Sequence, residues 1–593
     1  MSVNHELSDL FARFAAIVEI KGENVFKAIA FSKVSRLLKD MTFDIKQAAL
    51  DDKLAHIEGI GAASQRIIQQ YINEGRSMDY EEAAASVPPG LLPMLDIPGL
   101  GPKTIALLWK QRGVTNIEEL VKAIDENQLA GLKGIGDKKI QSIKQGIAMR
   151  AQAAERRGIG DALPIAQALV ARLCAIPQVK HAEIAGSLRR GRETIGDVDL
   201  ICSIDSAAAG PQVSAAFVAF PEVTHINGQG ATKASVITAG GLQVDLRMVP
   251  EEHFGAALLY FTGSKDHGIK IRGLALTKGM TLNEWGLYKL DDHEQAEKKS
   301  GGAPKLKPLA SRTEADVYRK LGMAFVEPEM REDRGEVELA VQNKLPALIA
   351  VADYRGDLHT HTTASDGSNS IEEMADAAAK RGYLFLAVTD HSKSQVIANG
   401  LTAERLLKHA KEIRRVSERM KGSITLLAGC EVDILVDGRL DFEDGVLAEL
   451  DFVVASPHVS PKQDSQKATD RLKRAIESRY VNVIGHPTGR LINQREGLPL
   501  QFDKIFAAAA ATGTALEINA GYPRLDLNDI NARAAIQAGV MLSINTDAHG
   551  IAGFDEIGMG IQVARRAWAT KANVINCMDL AELRKFIARK REL

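Results

Sequence analysis

Asp197 and Asp199 stand one residue apart in the apolar run "GRETIGDVDLICSI" (191–204). In an extended strand, residues i and i+2 project to one face. The two carboxylates therefore share a face, and Val198 and Leu200 point the other way, into a core. The run "GLQVDLRMVP" (241–250) repeats the logic: Leu242, Val244, Leu246 and Met248 take one face, Gln243, Asp245 and Arg247 the other. If the two strands are neighbours, three carboxylates converge. Such crowding is costly unless cations neutralise it, so a pair of divalent ions is expected there. Two clamped ions suit phosphoryl chemistry, activating an attacking hydroxyl and stabilising a leaving oxygen. Upstream, "AGSLRRG" (185–191) offers a Gly186–Ser187 turn whose amides and hydroxyl can meet phosphate, and Arg190 can fork onto phosphate oxygens.

A second field of reactive residues fills the C-terminal part. It runs through "GDLHTHTTASDGS" (356–368), "AVTDHS" (387–392), "AGCEVDIL" (428–435), "VASPHVS" (454–460), "VIGHPTG" (483–489) and "SINTDAHG" (543–550). Most of these clusters follow an apolar run, at the strand ends where α/β barrels place catalytic groups. His359 and His361 share a face, as do Asp547 and His549. One such histidine is usually a packed or surface residue. Six of the 14 histidines at strand ends beside Asp and Glu need another explanation. Mixed imidazole and carboxylate ligands suit Mn²⁺, Zn²⁺ or Fe.

The elements that must position these groups differ along the chain. Residues 1 to about 80 read as amphipathic helices, "SVPPGLLP" (86–93) as a linker, and 94 to about 150 again as helices. Short β-like runs alternate with helices from about 160 to 290, and "AEKKSGGAPKLKP" (296–308) reads as a mobile loop. An α/β region runs from about 353 to the end. One element recurs: "IEGIGAASQRI" (57–67), "DIPGLGPKTIALL" (96–108) and "LKGIGDKKIQSI" (132–143) share two glycines around an apolar residue, then a helix. One copy would be an ordinary inter-helix turn. Three in this register point to DNA-backbone binding through amides at a helix N-terminus. The residues concerned are Gly59, Gly61, Gly99, Gly101, Lys103, Gly134, Gly136 and Lys138.

Bulk composition sets limits. The 593 residues are 45% hydrophobic and 25% charged, ordinary for a multidomain globular chain. The net charge of -2 does not advertise a nucleic-acid binder, so that case rests on the repeated turns. No apolar run is long enough for a bilayer span, and no membrane partner is expected. Cys174, Cys202, Cys430 and Cys577 form no CxxC pair, which argues against a disulfide framework and favours a reducing cytoplasm.

The order Gly-Ser, D-x-D, third strand Asp is a nucleotidyltransferase signature. With "GSLRRGRETIGDVDL", "VDLR" and "LLYFTGSKDHGIKIR" (258–272), residues 1–342 resemble the family X DNA polymerases, the polymerase beta relatives. The resemblance implies that Asp197, Asp199 and Asp245 hold two Mg²⁺ or Mn²⁺ ions and that Gly186, Ser187, Arg190 and Gly196 contact a triphosphate. It implies that Tyr260, Phe261 and Gly263 line the sugar pocket, that Arg272 reaches the minor groove and that Arg247 helps gate closure. Two positions depart from the family. Gly268 replaces the usual Asn that touches the incoming base, and Ile67 replaces the Schiff-base Lys of the lyase branch, so 5′-deoxyribose-phosphate lyase activity is doubtful. The histidine series resembles the PHP (polymerase and histidinol phosphatase) domain, a distorted β/α barrel. That resemblance implies a trinuclear centre of Mn²⁺, Zn²⁺ or Fe held by His359, His361, Asp366, His391, Glu431, His458, His486, Asp547 and His549.

The expected fold class is multidomain α/β: helix-hairpin-helix subdomains, a polymerase beta-like palm and thumb, and a C-terminal distorted β/α barrel. Expected boundaries are a lyase-like subdomain at 1–85, a fingers-like one at 86–155, palm at 156–262, thumb at 263–342, linker at 343–352 and PHP domain at 353–593. The expected activity is gap-filling DNA synthesis in repair, joined to a 3′-5′ exonuclease. Gapped or primed duplex DNA and dNTPs are the expected partners, for a cytoplasmic, nucleoid-associated monomer. Three rivals remain: a PHP nuclease whose polymerase module is weak or inactive, a repair scaffold without activity, and a small-molecule phosphatase. Intact metal ligands in both halves argue against the scaffold, and the three hairpin turns against the phosphatase.

Overall fold

The amphipathic opening stretch forms a helix, α1 (Val3–Lys21). Leu7, Phe11, Phe14 and Val18 recur at helical spacing and enter one core; Ile17 and Ile20, on another face, enter a second. The two N-terminal helical bodies therefore share α1. The stretch 86–93, expected as a linker, is packed instead. Val87, Leu91 and Met94 are buried in the second core, because a chain this apolar gains more from burial than from solvation. In the computed structural model, residues 3–40, 45–50, 53–57, 59–95, 97, 100–126, 128–129, 132, 134–136, 139–141, 143–144, 147, 156–293, 306–460 and 463–592 are described. Most of the loop expected at 296–308 thus lies outside the described residues.

By backbone contact the chain divides into two units. One comprises residues 1–156, 169–186 and 196–325; the other, 157–168, 187–195 and 326–593.

In the first unit, α2 (Ala62–Glu74) and α3 (Pro102–Arg112) follow the repeated turns. A five-stranded sheet then forms from β1 (Val179–Ile184), β2 (Asp197–Ile204), β3 (Val223–Gln229), β4 (Lys233–Thr238) and β5 (Gln243–Pro250), in the order β1-β2-β5-β4-β3. β2 and β5 are parallel neighbours, and the other pairs are antiparallel. Helices α4 (Phe254–Thr262) and α5 (Lys265–Thr277) follow. Phe254, Ala257, Leu258 and Phe261 pack with Ala185, Ile201 and Val249 of the sheet.

The second unit is built on β6 (Gly356–Thr360), β7 (Phe385–Val388), β8 (Thr425–Asp433), β9 (Phe452–Ser456), β10 (Val483–Ile484), β11 (Ala515–Asn519) and β12 (Leu542–Asn545), all parallel and in chain order. Runs such as "FLAV" and "FVVAS" are buried at every position, as strands covered on both faces require. His361 N donates to Ala548 O at 2.9 Å and Leu358 N to Asn545 Oδ1 at 3.2 Å. These bonds bring the last strand to the first and nearly close a barrel. Residues 343–352, expected as a linker, are also held in this unit: Ile349 is buried, and its carbonyl accepts from Arg565.

Candidate functional site

The β2–β5 register sets Asp199 directly opposite Asp245, two pairs on from Asp197 opposite Gln243. Burial alternates along β5, with Val244, Leu246 and Met248 buried and Asp245 and Arg247 part-exposed, the facing expected from period two. Burial and then the nearby Asp245 raise the Asp197 pKa, outweighing the opposing charge of Arg156. A side chain on Gly186 would meet Asp199 Oδ2 at 2.0 Å, and its φ is +60°, so only glycine brings this turn against the acid. A 570 Å³ cavity opens beside Asp199, Asp245, Arg247, Lys233 and Phe261.

Four of the residues expected at the nucleotide form one cluster. Arg247 lies 4.9 Å over the Phe261 ring, Tyr260 meets Phe261 edge-on at 5.1 Å, and Arg272 lies 5.7 Å over Tyr260. A side chain on Gly268 would come within 3.2 Å of the Arg272 guanidinium. Gly263, at φ +65°, ends α4 beside this cluster.

Arg190 is placed differently from the expectation. Its side chain is 13% exposed and paired with Glu332 at 3.2 Å, and its carbonyl accepts from Arg566 Nη1 at 2.6 Å. Arg566 also holds Glu332 at 3.0 Å and Asp529 at 2.9 Å. The guanidinium is thus engaged by Glu332 rather than presented to a triphosphate. A buried network reaching across 376 positions leaves no local trace in the sequence.

The first and third of the repeated turns share one left-handed glycine. Gly59 and Gly134 are left-handed at φ +93° and +98°, as the reversal requires. The following Ile60, Leu100 and Ile135 are buried, so each turn is nailed to its core. Gly61 and Gly101 then cap α2 and α3 in extended conformations, and a Cβ on Gly61, Gly101 or Gly136 would meet nothing within 4 Å. Neither backbone conformation nor internal packing demands glycine at these caps. With no side chain in the way, amides at such a cap can donate to a phosphate. Lys103 is exposed beside its turn; Gly99 and Lys138 lie outside the described residues. Ile67 is 2% exposed in the first core, and Arg66 pairs with Asp79 at 2.6 Å.

In the barrel the nine expected ligands gather at the C-terminal strand ends. Glu431, in β8, is the hub: His391 Nδ1 lies 2.7 Å, His486 Nε2 3.0 Å, His458 Nε2 3.2 Å and His359 Nε2 3.3 Å from its carboxylate. Asp547 holds His361 Nε2 at 2.9 Å, and Asp366 reaches His549 at 3.4 Å and His391 at 3.5 Å. Among the described residues, three groups have ligand atoms all within 4.8 Å: His361–Asp366–His391–His549, His359–His361–Asp547 and His391–Glu431–His458. His359 Nε2, His361 Nδ1 and His486 Nδ1 are buried without a hydrogen-bond partner. Orphaned buried nitrogens beside carboxylates fit bound divalent cations, which supply the missing partners.

Electrostatics agree with the donor set. Burial pulls the His361 pKa down to about 4 and lowers that of His486. At His391 and His458 burial acts the same way but is outweighed, by Glu431 with Asp366 and by Glu431 with Asp433, and the values rise to about 10 and about 9. Asp366 sits far below the carboxylate range because His391 and His549 overcome its burial.

The sequence reading missed the residues that orient these ligands. Glu517, fully buried, accepts from His359 Nδ1 at 2.8 Å and from His486 N at 2.6 Å. Asp433 accepts from His458 Nδ1 at 2.5 Å. Asp390 accepts from Ser365 Oγ at 2.6 Å, Thr362 Oγ1 at 2.8 Å and His409 Nε2 at 2.8 Å, bracing the loop that carries Asp366. Such outer carboxylates fix imidazole tautomer and direction. Asp433 was findable: it lies two residues from Glu431 on one strand face, inside a segment already singled out. Arg524 adds positive charge 4.0 Å from Asp547.

Comparison with known proteins covers nearly the whole chain. Family models match residues 2–77 (helix-hairpin-helix domain), 91–149 (SAM-like helix-hairpin-helix tandem), 257–332 (DNA polymerase beta thumb) and 357–521 (PHP domain). The chain is 39% identical over 582 residues to a Bacillus subtilis (strain 168) protein named DNA polymerase/3′-5′ exonuclease PolX, covering 98% of each. It is 28% identical over 246 residues to a probable phosphatase of Thermoanaerobacter sp. (strain X514), covering 40% of this chain and 95% of that one. It is 34% identical over 170 residues to a probable phosphatase of Shewanella putrefaciens (strain CN-32), covering 28% and 62%.

Proposed function

As the chain belongs to the family X DNA polymerases that carry a C-terminal PHP domain, we propose that it fills short gaps in DNA during repair and trims 3′ ends by a 3′-5′ exonuclease in the barrel. One observation carries the reading: carboxylates distant in sequence gather twice, as Asp199 opposite Asp245 and as Glu431 ringed by four imidazoles. Divalent cations, when bound, stabilise charge on phosphate oxygens and acidify a hydroxyl or water. We assign Mg²⁺ or Mn²⁺ to the palm and Mn²⁺, Zn²⁺ or Fe to the barrel.

In the palm, Asp197, Asp199 and Asp245 would hold the ions, and the Gly186–Ser187 turn and Gly196 the triphosphate of a dNTP. The wall of Tyr260, Phe261 and Gly263 would exclude a ribose 2′-OH. Arg247, stacked on Phe261, would move with closure, and Arg272 would read the minor groove. In the barrel, Glu517 and Asp433 keep His359 and His458 pointed inward with Nε2 turned toward Glu431, and Arg524 attracts the scissile phosphate. The three hairpin turns grip the DNA backbone without base contacts, so binding is indifferent to sequence. The protein works as a monomer on gapped or primed duplexes, in the cytoplasm at the nucleoid. Among the described residues no helix is long and apolar enough to cross a membrane.

A gapped-duplex assay with Asp199→Ala and His359→Ala in parallel tests the reading. The first variant should lose nucleotide addition and keep 3′ trimming; the second should do the reverse. Loss of both activities in either folded variant refutes independent centres. A second reading, a barrel nuclease beside a weak polymerase, is favoured by Gly268, which has no side chain to touch the incoming base. Failure to insert one nucleotide into a gap with either Mg²⁺ or Mn²⁺ would select it.

A further inference from the structure

The segment between His391 and Leu401 ends in a tip that the fold itself does not require. Ile397 is 103% exposed and Val396 80%. Turn tips favour Gly, Asn, Asp and Ser; two β-branched apolar residues there expose surface that water disfavours. Yet the loop is firmly built. Leu401 N donates to His391 O at 2.8 Å, closing its ends, and Asn399 N donates to Val396 O at 3.2 Å, tightening its tip.

Its anchors are the ligand-bearing segments of the barrel. On one side Gln395 Nε2 donates to Asp433 Oδ2 at 2.7 Å, and the Ser394 hydroxyl donates to the same carboxylate, which also orients His458. On the other, Asn399 Nδ2 and Arg405 Nη2 donate to Ala364 O at 3.3 and 2.9 Å, two residues from Asp366. The tip is therefore held at the rim of the histidine centre, with no slack to fold over it. Lys393, exposed at its base, holds its Nζ 5.6 Å over the Phe442 ring and adds a cation to this loop.

This combination matches one occupant, the end of a DNA duplex. His359, His361, His391, Glu431 and His486 are buried, below the part-exposed Asp366 and His549, so a terminal nucleotide reaches the inner ligands only after leaving the base stack. Unstacking costs a few kcal/mol per step, and proteins that separate bases insert apolar side chains into the gap. Valine and isoleucine have stiff side chains, so such a wedge loses little entropy on insertion. We propose that Val396 and Ile397 form a strand-separating wedge, packing on the last base pair while Lys393 meets the backbone and the 3′-terminal nucleotide enters the barrel. This rests on the exonuclease reading above.

The test uses the full-length manganese-loaded protein and a Val396→Ser/Ile397→Ser variant, with three probes: a strand with a paired 3′ end, the same strand unpaired, and bis(p-nitrophenyl) phosphate. The variant should digest the paired end roughly tenfold more slowly and leave the other two rates within about twofold. A Val396→Ser/Ile397→Trp variant, which puts a flat apolar surface back at the tip, should recover paired-end digestion. An unchanged paired-end rate overturns the wedge, and so does an equal loss on paired and unpaired DNA, which would mark a general contact. A fall in bis(p-nitrophenyl) phosphate hydrolysis overturns it too, because the loop would then be shaping the metal centre. If the wild type cleaves that ester but neither DNA end, the exonuclease reading itself has failed.

Discussion

Glu517→Gln changes one buried atom and should weaken metal binding in the barrel while leaving the palm intact. The Glu517 carboxylate meets four N–H donors: His359 Nδ1 at 2.8 Å, Asn545 Nδ2 at 2.8 Å, His486 N at 2.6 Å and Asn519 Nδ2 at 3.4 Å. Glutamine has the same shape but one NH₂ in place of an oxygen. Whichever way the amide lies, a donor faces a donor at a site with no exposure. Losing one charge-assisted hydrogen bond costs about 1.5–3 kcal/mol. His359 can escape only by taking the tautomer that puts its proton on Nε2, the nitrogen that points at Glu431. Outer-shell substitutions of this kind cost roughly 10–100-fold in metal affinity. Exonuclease activity of the variant should therefore need about 10–100-fold more Mn²⁺ for half-saturation and recover near wild-type rate at high Mn²⁺. Gap filling with Mg²⁺ should be unchanged. Titrating Mn²⁺ against both activities, with circular dichroism to verify folding, is the assay. A half-saturation point equal to wild type would show that the Glu517–His359 bond does not set ligand direction.

The remaining predictions are briefer. In chelator-treated protein, His391 and His458 are protonated partners of Glu431, Asp366 and Asp433, with values raised to about 10 and about 9. Raised values mean that their stabilisation is full below the ordinary histidine range, near pH 6.5, and is lost as pH rises through 9 to 10. Metal must displace those protons, so the rise in Tm on adding Mn²⁺ should be larger at pH 8.5 than at pH 6; a rise independent of pH would contradict the protonation scheme. Gly268→Asn restores a side chain toward the incoming base, and its Cβ displaces only the flexible end of Arg272 at 3.2 Å. One added hydrogen bond of about 1 kcal/mol should lower the KM for the correct dNTP roughly fivefold, measured by single-nucleotide insertion. Ile67 is a core residue, so borohydride should trap no adduct on a 5′-deoxyribose-phosphate flap at that position; trapping that survives replacement of the N-terminal lysines would refute the absence of a nucleophile.

Much of this molecule follows from local covalent geometry. The two-residue period of a strand puts Asp197 with Asp199, and Asp245 with Arg247, on single faces, because side chains of an extended chain alternate wherever the strand lies. A polar cluster after an apolar run marks a strand end for the same local reason, so the histidine clusters were legible one by one, whereas the full set of nine ligands came from the resemblance to the PHP domain. The paired glycines of the hairpin turns were legible too, since few residues other than glycine tolerate the φ near +95° seen at Gly59 and Gly134. Tertiary structure alone decided which strands are neighbours. It paired β2 with β5 in the register that sets Asp199 against Asp245, made Glu431 the hub of the imidazoles, and buried Glu517 and Asp433 behind them. It also drew Arg190 into the Glu332–Arg566 network and packed the stretches around residues 90 and 349 that were expected as linkers. The division has one physical cause: side-chain direction is set within a few bonds, whereas partnership is set by packing between segments hundreds of residues apart.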